Sequence, residues 1–182
     1  MTEVYKNILN EVPLEYKYLL KHKIIVLPIN VFYQKYDLEK NKLLNKIHHS
    51  KNDEINSLHK YSCENPIDSK TCQEINEVFF FFLREFLEIW DKKCPNYYSG
   101  FGIVYDTYSQ KTLKLHKDDS FYTINMCLES TAEGNEVVFV CGDKEIPVNI
   151  KEDHMIIHLG NHAHFTNEIT SGKRTNVVLW YK

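Results

Sequence analysis

A mainly β fold, a two-sheet jelly roll or barrel with helices buttressing one sheet from the N-terminal side, is what this 182-residue sequence predicts. Three observations lead there. All six glycines lie at or beyond Gly100. Before residue 95 the apolar residues recur at the spacing of a helix face. After it the period shortens to two, and short apolar runs alternate with Asp, Asn, Gly and Ser turns. A jelly roll answers the edge problem of so many short strands by stacking them in two sheets.

Taken in order, Ile24–Ile29 reads as a short strand leading into the helical part. Leu38, Leu43, Leu44 and Ile47 fall on one face of a helix, and 48–60 reads as a loop or an exposed helix. A longer helix is expected over about 71–92, capped by Asp68 or Ser69. Its stripe of Ile75, Val78, Phe79, Phe82, Phe86, Ile89 and Trp90 is suited to packing on a sheet. Strands are expected at 100–105, 112–117, 121–128, 136–141, 145–149, 154–158 and 174–181. No repeat or flexible linker interrupts the chain, so 1–182 is expected to form a single domain: a helical support region, 1–95, and a jelly-roll core, 96–182.

Composition excludes several classes. With 43% hydrophobic and 26% charged residues the chain is an ordinary globular sequence. A net charge of -3 argues against a nucleic-acid surface. The longest apolar run, Val78–Leu83, is too short to cross a bilayer. Five cysteines, an odd number at irregular spacing, and an N-terminus without a secretory pattern point to free thiols and a cytoplasmic location.

The chemistry-bearing residues are His116 and Asp118, two apart in a strand-like stretch, then His164 and Arg174. Alternate residues of a strand share a face, so the first pair can reach one ion. Two histidines and a carboxylate make the facial triad of non-haem Fe(II) sites, which leaves coordination positions open. The fork of Arg174 suits a carboxylate such as that of 2-oxoglutarate. An HxD pair alone is common by chance; with His164 and Arg174 at these spacings it becomes specific. His154, His158, His162 and His164 also crowd together, which by itself suggests zinc. Gly160 and Asn161 break any helix there, so His158 is read as a strand residue lining the site and His162 as loop. Lys117 and Asp119 point the other way, and Cys63 and Cys72 are plain thiols.

Tyr105, then His116-Lys117-Asp118-Asp119-Ser120, then Thr123-Ile124-Asn125-Met126-Cys127-Leu128, together with the ending His158 to Trp180, resemble the Fe(II)/2-oxoglutarate-dependent dioxygenases of the prolyl and lysyl hydroxylase type. The likeness extends to the small oxygenase-domain proteins of that group and covers roughly residues 98–182. It implies a double-stranded β-helix, iron held by His116, Asp118 and His164, and Arg174 on the distal carboxylate of 2-oxoglutarate. It also implies Tyr105 beside that carboxylate, Asn125 facing the co-substrate or a ligand, and ascorbate as accessory reductant. The implied reaction hydroxylates a C–H bond, of a prolyl or lysyl side chain in a protein, with release of succinate and CO2.

There are departures. The family's paired glycines are here Gly134-Asn135, a change expected to alter a turn without touching the metal. Phe165 and Glu168 replace a small or acidic residue and a proline after the distal histidine, which could reshape the substrate entrance. Nucleic-acid demethylases of the same chemistry usually carry a second arginine where this chain has Trp180. Other readings stay open: an oxygenase acting on a small molecule or nucleobase, a catalytically inactive jelly-roll binding module, and a zinc-bound domain built on the histidine cluster.

Overall fold

The protein is described by a computed structural model over residues 9–29, 40–45, 47, 64–67, 70, 73, 75, 90 and 98–182. A 3-10 helix, Leu14–His22, ends at Lys23, whose left-handed backbone (φ 57°) turns its N–H onto the carbonyls of Leu19 and Leu20. The strands follow: β1 Ile24–Pro28, β2 Glu64–Pro66, β3 Tyr98–Asp106, β4 Leu113–His116, β5 Tyr122–Ser130 and β6 Glu133–Gly134. Then come β7 Val137–Cys141, β8 Lys144–Val148, β9 His154–Leu159, β10 His164–Thr166, β11 Ile169–Ser171 and β12 Lys173–Tyr181.

Two antiparallel sheets face one another. The larger runs β1-β9-β5-β12-β3-β2 and the smaller β4-β10-β7-β8, with β11 and β6 paired beside them. Phe139 of the smaller sheet meets His158 of the larger edge to face, with ring centroids 5.0 Å apart. On the larger sheet Arg174, Asn176 and Val178 of β12 alternate onto one face, across from Tyr105 and Ile103. Ile103, Tyr105 and Val178 cluster with Ile169 there. Ile47 lies over the opposite face, so close to β3 that a Cβ on Gly102 would fall 2.3 Å from its Cγ1. Leu43, Ile75 and Trp90 join the same buried cluster as β1, β5 and β9, with Trp90 stacked on Tyr122 at 5.9 Å. The described N-terminal residues thus back the larger sheet, as their spacing implied.

The strands expected after residue 95 all form, with ends shifted by at most two residues. β2, β6, β10 and β11 escape a periodicity reading because two or three residues show no period. β1 differs in role: rather than leading into helices it pairs with β9 at the edge of the larger sheet, Ile24 opposite His158. Lys70, Gln73 and Ile75 are helical. The rest of the expected 71–92 helix up to Trp90, its caps and Leu38 lie outside the described residues.

Two local irregularities position the site. Between β10 and β4, His164 faces His116 while Thr166 faces Leu113, so two steps on one strand meet three on the other. That β-bulge lets Leu113 pack inward and still aims His116 inward three residues later. Strand β4 then stops, and Asp118 stands on the following loop rather than on the strand, contrary to the alternation argument. The loop is pinned at both ends: Asp118 N–H donates to Gly160 (2.9 Å), Gly160 N–H to Phe121 (3.1 Å), and Phe121 N–H to Tyr181 (2.7 Å).

Gly160 is required by that close approach, since a Cβ there would sit 2.0 Å from the backbone oxygen of Ser120. Gly160→Ala is therefore expected to destabilise the fold by about 1–3 kcal/mol, the range for overpacking, and to weaken metal binding by displacing Asp118. Urea unfolding and metal titration check this; an unchanged midpoint would show that the loop relaxes freely.

Candidate active site

At the open end of the sandwich His116, Asp118 and His164 bring one donor atom each within 4.8 Å of the others. His116 Nε2 lies 3.4 Å from Asp118 Oδ1, and His164 Nε2 lies 3.9 Å from Oδ2. The two rings are tilted, 4.3 Å apart. Each imidazole is oriented from behind: His116 Nδ1 donates to the carbonyl of Lys114 (2.7 Å) and His164 Nδ1 to that of His162 (2.9 Å). A carbonyl can only accept, so both Nδ1 atoms carry a proton and both Nε2 atoms are turned toward Asp118. This is the tautomer a cation requires.

His158 behaves alike. Its Nδ1 donates to Leu159 (2.9 Å) and its Nε2 stands 3.8 Å from Asp118 Oδ2. It is a buried strand residue lining the site, as the sequence suggests, and His162 is a half-buried loop residue. Burial lowers the pKa of His164, of His158 to about 3 and of His162 to about 4, which keeps all three neutral near pH 7.

The Asp118 carboxyl is 3% exposed, and burial alone would push its pKa up. The hydrogen bond with His116, the charge that His158 and His164 acquire once protonated at low pH, and the Thr123 hydroxyl reverse this and hold it at about 2. Thr123 Oγ1 donates to Oδ2 at 2.5 Å. Having spent its one proton there, it must accept at 2.9 Å from Ser120 Oγ. Thr123 and Ser120 were not singled out by sequence; the hint was a hydroxyl pair flanking the strand that carries Asn125.

The larger sheet carries a second charged group. Arg174 is 2% exposed, its Cζ 4.9 Å above the centre of the Tyr105 ring. Burial draws its pKa down, and Tyr105 opposes this by favouring the charged form. Nη1 donates to the carbonyl of Asn135, whereas Nε and Nη2 have no partner among the described residues. A buried guanidinium short of two partners is costly unless an anion joins it. Asn125 accepts from Asn176 Nδ2 (2.7 Å), which leaves its own amide donor available on the face shared with Thr123. Burial holds Cys127 as a thiol, with its pKa pushed up to about 12. Phe165 is half-buried on β10 and Glu168 exposed, 3.7 Å from Lys111. Lys117 and Asp119 are exposed, as expected.

The histidine shifts carry a pH signature. Unfolded histidines take up protons near pH 6.5, while the folded ones do not until lower pH, so the unfolded chain binds more protons and stability falls as pH drops from about 7 to 5. The Asp118 contribution has the same sign but is lost only below about pH 4. Urea midpoints at the two pH values should show the fall, and His158→Gln should make it shallower. An equal slope in the variant would mean His158 protonates in the native state.

No family model matches the chain. It is 32% identical over 93 aligned residues to a 2-oxoglutarate and iron-dependent oxygenase domain-containing protein of Arabidopsis thaliana, covering 44% of this chain and 23% of that protein. It is 29% identical over 102 residues to 2-oxoglutarate and iron-dependent oxygenase domain-containing protein 2 of Xenopus tropicalis, covering 51% of this chain and 29% of that one. The match thus spans less than a third of the length of these relatives. In fold it is similar to a Pseudomonas putida prolyl-4-hydroxylase, with a TM-score of 0.68, 11% identity and 97% of both chains covered. A Trichoplax adhaerens prolyl hydroxylase solved with a peptide fragment of the hypoxia inducible factor gives 0.63, 11% identity, 97% of this chain and 89% of that one. The chain is thus similar in sequence, over about half its length, to 2-oxoglutarate and iron-dependent oxygenase domain proteins, and in its jelly-roll fold, over nearly all of it, to prolyl-hydroxylase structures.

Proposed function

We propose that this chain is an Fe(II)- and 2-oxoglutarate-dependent dioxygenase that hydroxylates a C–H bond, with a prolyl or lysyl side chain of a protein as substrate. The observation that supports the reading most is the presence of two incomplete sites on the facing sheets. One is a triad of two histidines and a carboxylate; the other is a buried guanidinium with two idle donors. A metal site alone would suit zinc as well. An orphaned, buried arginine beside it asks for an anion with a carboxylate, which 2-oxoglutarate supplies. The fold likeness to prolyl hydroxylases, one of them solved with a peptide, supports a protein substrate.

In this reading His116, Asp118 and His164 would hold the iron. Bound there with 2-oxoglutarate, the iron supplies oxygen activation coupled to decarboxylation, with succinate and CO2 as products. The chain's own residues do the rest. The carbonyls of Lys114 and His162 keep both Nε2 lone pairs forward, and Thr123 with Ser120 keeps Asp118 anionic and fixed. Arg174 would take the distal carboxylate through Nε and Nη2, with Tyr105 stacked beneath it. Phe139, packed against His158 and His164 at 5.0 and 5.6 Å, shuts water out from the sheet behind. Asn125 would offer its amide to the co-substrate from the same face.

Anaerobic titration with Fe(II) and then 2-oxoglutarate tests this through the visible charge-transfer band. Its appearance in the wild type and its loss in His116→Ala and His164→Ala are expected; tight zinc binding with no response to 2-oxoglutarate would sink the proposal. Arg174→Ala should keep iron but bind 2-oxoglutarate on the order of 100-fold more weakly, since two charge-assisted hydrogen bonds are lost. Tyr105→Phe should cost about 1.5–3 kcal/mol of that affinity. Wild-type affinity in either variant would remove that residue from the co-substrate site.

A further inference from the structure

Asn135 stands where the sequence departs from a glycine pair, and it is not the passive turn residue expected there. Gly134 and Asn135 both have left-handed backbone, φ 74° and 60°, and Asn135 is completely buried. Asparagine is among the few residues with a side chain that adopt this conformation readily. The turn brings its carbonyl onto Arg174 Nη1. Its amide points the other way, donating to the carbonyls of Asn167 (3.0 Å) and Lys111 (3.4 Å). Asn167 answers with hydrogen bonds from its N–H to the Glu136 carbonyl (2.9 Å) and from Nδ2 to Glu136 Oε2 (3.0 Å). Ile169 N–H donates to Lys111 at 2.9 Å. Three loops, around Lys111, Asn135 and Asn167, are thereby tied together beside the guanidinium.

The tie decides how Arg174 is presented. A guanidinium offers a carboxylate either its terminal edge, through both Nη atoms, or its side edge, through Nε and Nη2. The Asn135 carbonyl engages Nη1, one nitrogen of the terminal edge, whereas both nitrogens of the side edge, Nε and Nη2, are unpartnered. We propose that Asn135 is a positioning residue for the co-substrate clamp: its left-handed carbonyl fixes the edge of Arg174 that is offered, and its amide straps fix the depth of that edge. It thereby sets the length of 2-oxo diacid the site accepts, favouring 2-oxoglutarate over oxaloacetate, which is one methylene shorter.

This rests on Arg174 being the 2-oxoglutarate clamp, and two variants separate it from a merely structural role. Asn135→Gly keeps the left-handed turn and the carbonyl but loses both straps. Asn135→Asp keeps size and tolerance of that backbone, yet its carboxylate cannot donate to two carbonyls. Affinities of wild type and variants for Fe(II), 2-oxoglutarate and oxaloacetate are measured anaerobically by titration. In both variants Fe(II) affinity should stay within about twofold, and the preference for 2-oxoglutarate over oxaloacetate should fall about tenfold, the equivalent of one hydrogen bond. A wild type that binds 2-oxoglutarate alongside variants with an unchanged preference overturns the role of Asn135 alone. A wild type that binds neither diacid overturns the clamp reading and this inference with it.

Discussion

Asp118 keeps its charge while almost wholly withdrawn from water, and the mouth of the sandwich is arranged to make that possible. Burial of a carboxylate without partners would leave it protonated and useless as a ligand. Here a relayed pair of hydroxyls donates from one side, and three imidazoles turn their Nε2 atoms toward the carboxylate from the others. Each imidazole is in turn fixed by a backbone carbonyl close to it in sequence. The loop bearing Asp118 then has to be rigid, which explains why its amide is tied to Gly160 and why that position admits no side chain.

The opposite charge, on the larger sheet, is balanced differently. Arg174 has one hydrogen bond and an aromatic face, and its side edge is left without partners. The anion at the mouth is satisfied and the cation within is not. A dicarboxylate that spans the two would meet a metal held by the first and complete the second. The face between them carries Asn125, Asn176 and Val178, a strip with one amide donor to spare.

Much of this was legible in the sequence, because strands announce themselves by a period of two and because His116, Asp118, His164 and Arg174 keep their spacing. The larger sheet's flanking helical residues, Leu43 and Ile47, were equally plain from their three-and-four spacing. What stayed hidden depended on backbone geometry. The bulge that aims His116 has no residue signature in Lys114-Leu115. Asp118 reaches its partners from a loop, a route that alternation along a strand does not describe. Asn135 looked like a tolerated departure because a carbonyl that caps a guanidinium leaves no trace in the residue that supplies it. β1 pairs with β9 across most of the chain, a contact that local periodicity cannot report.

The bulge in β4 has a second consequence. Among the described residues β4 is one of the two outer strands of the smaller sheet, β8 being the other. A straight apolar strand in that place would be a template for pairing with another molecule and a seed for aggregation. The extra residue breaks the regular row of backbone donors and acceptors, and it turns Lys114 and Leu115 outward beside it. The distortion that aims His116 at Asp118 therefore also blunts the sheet edge, so the chain can keep the His–Asp–His cluster next to an open border without inviting a neighbour to extend the sheet.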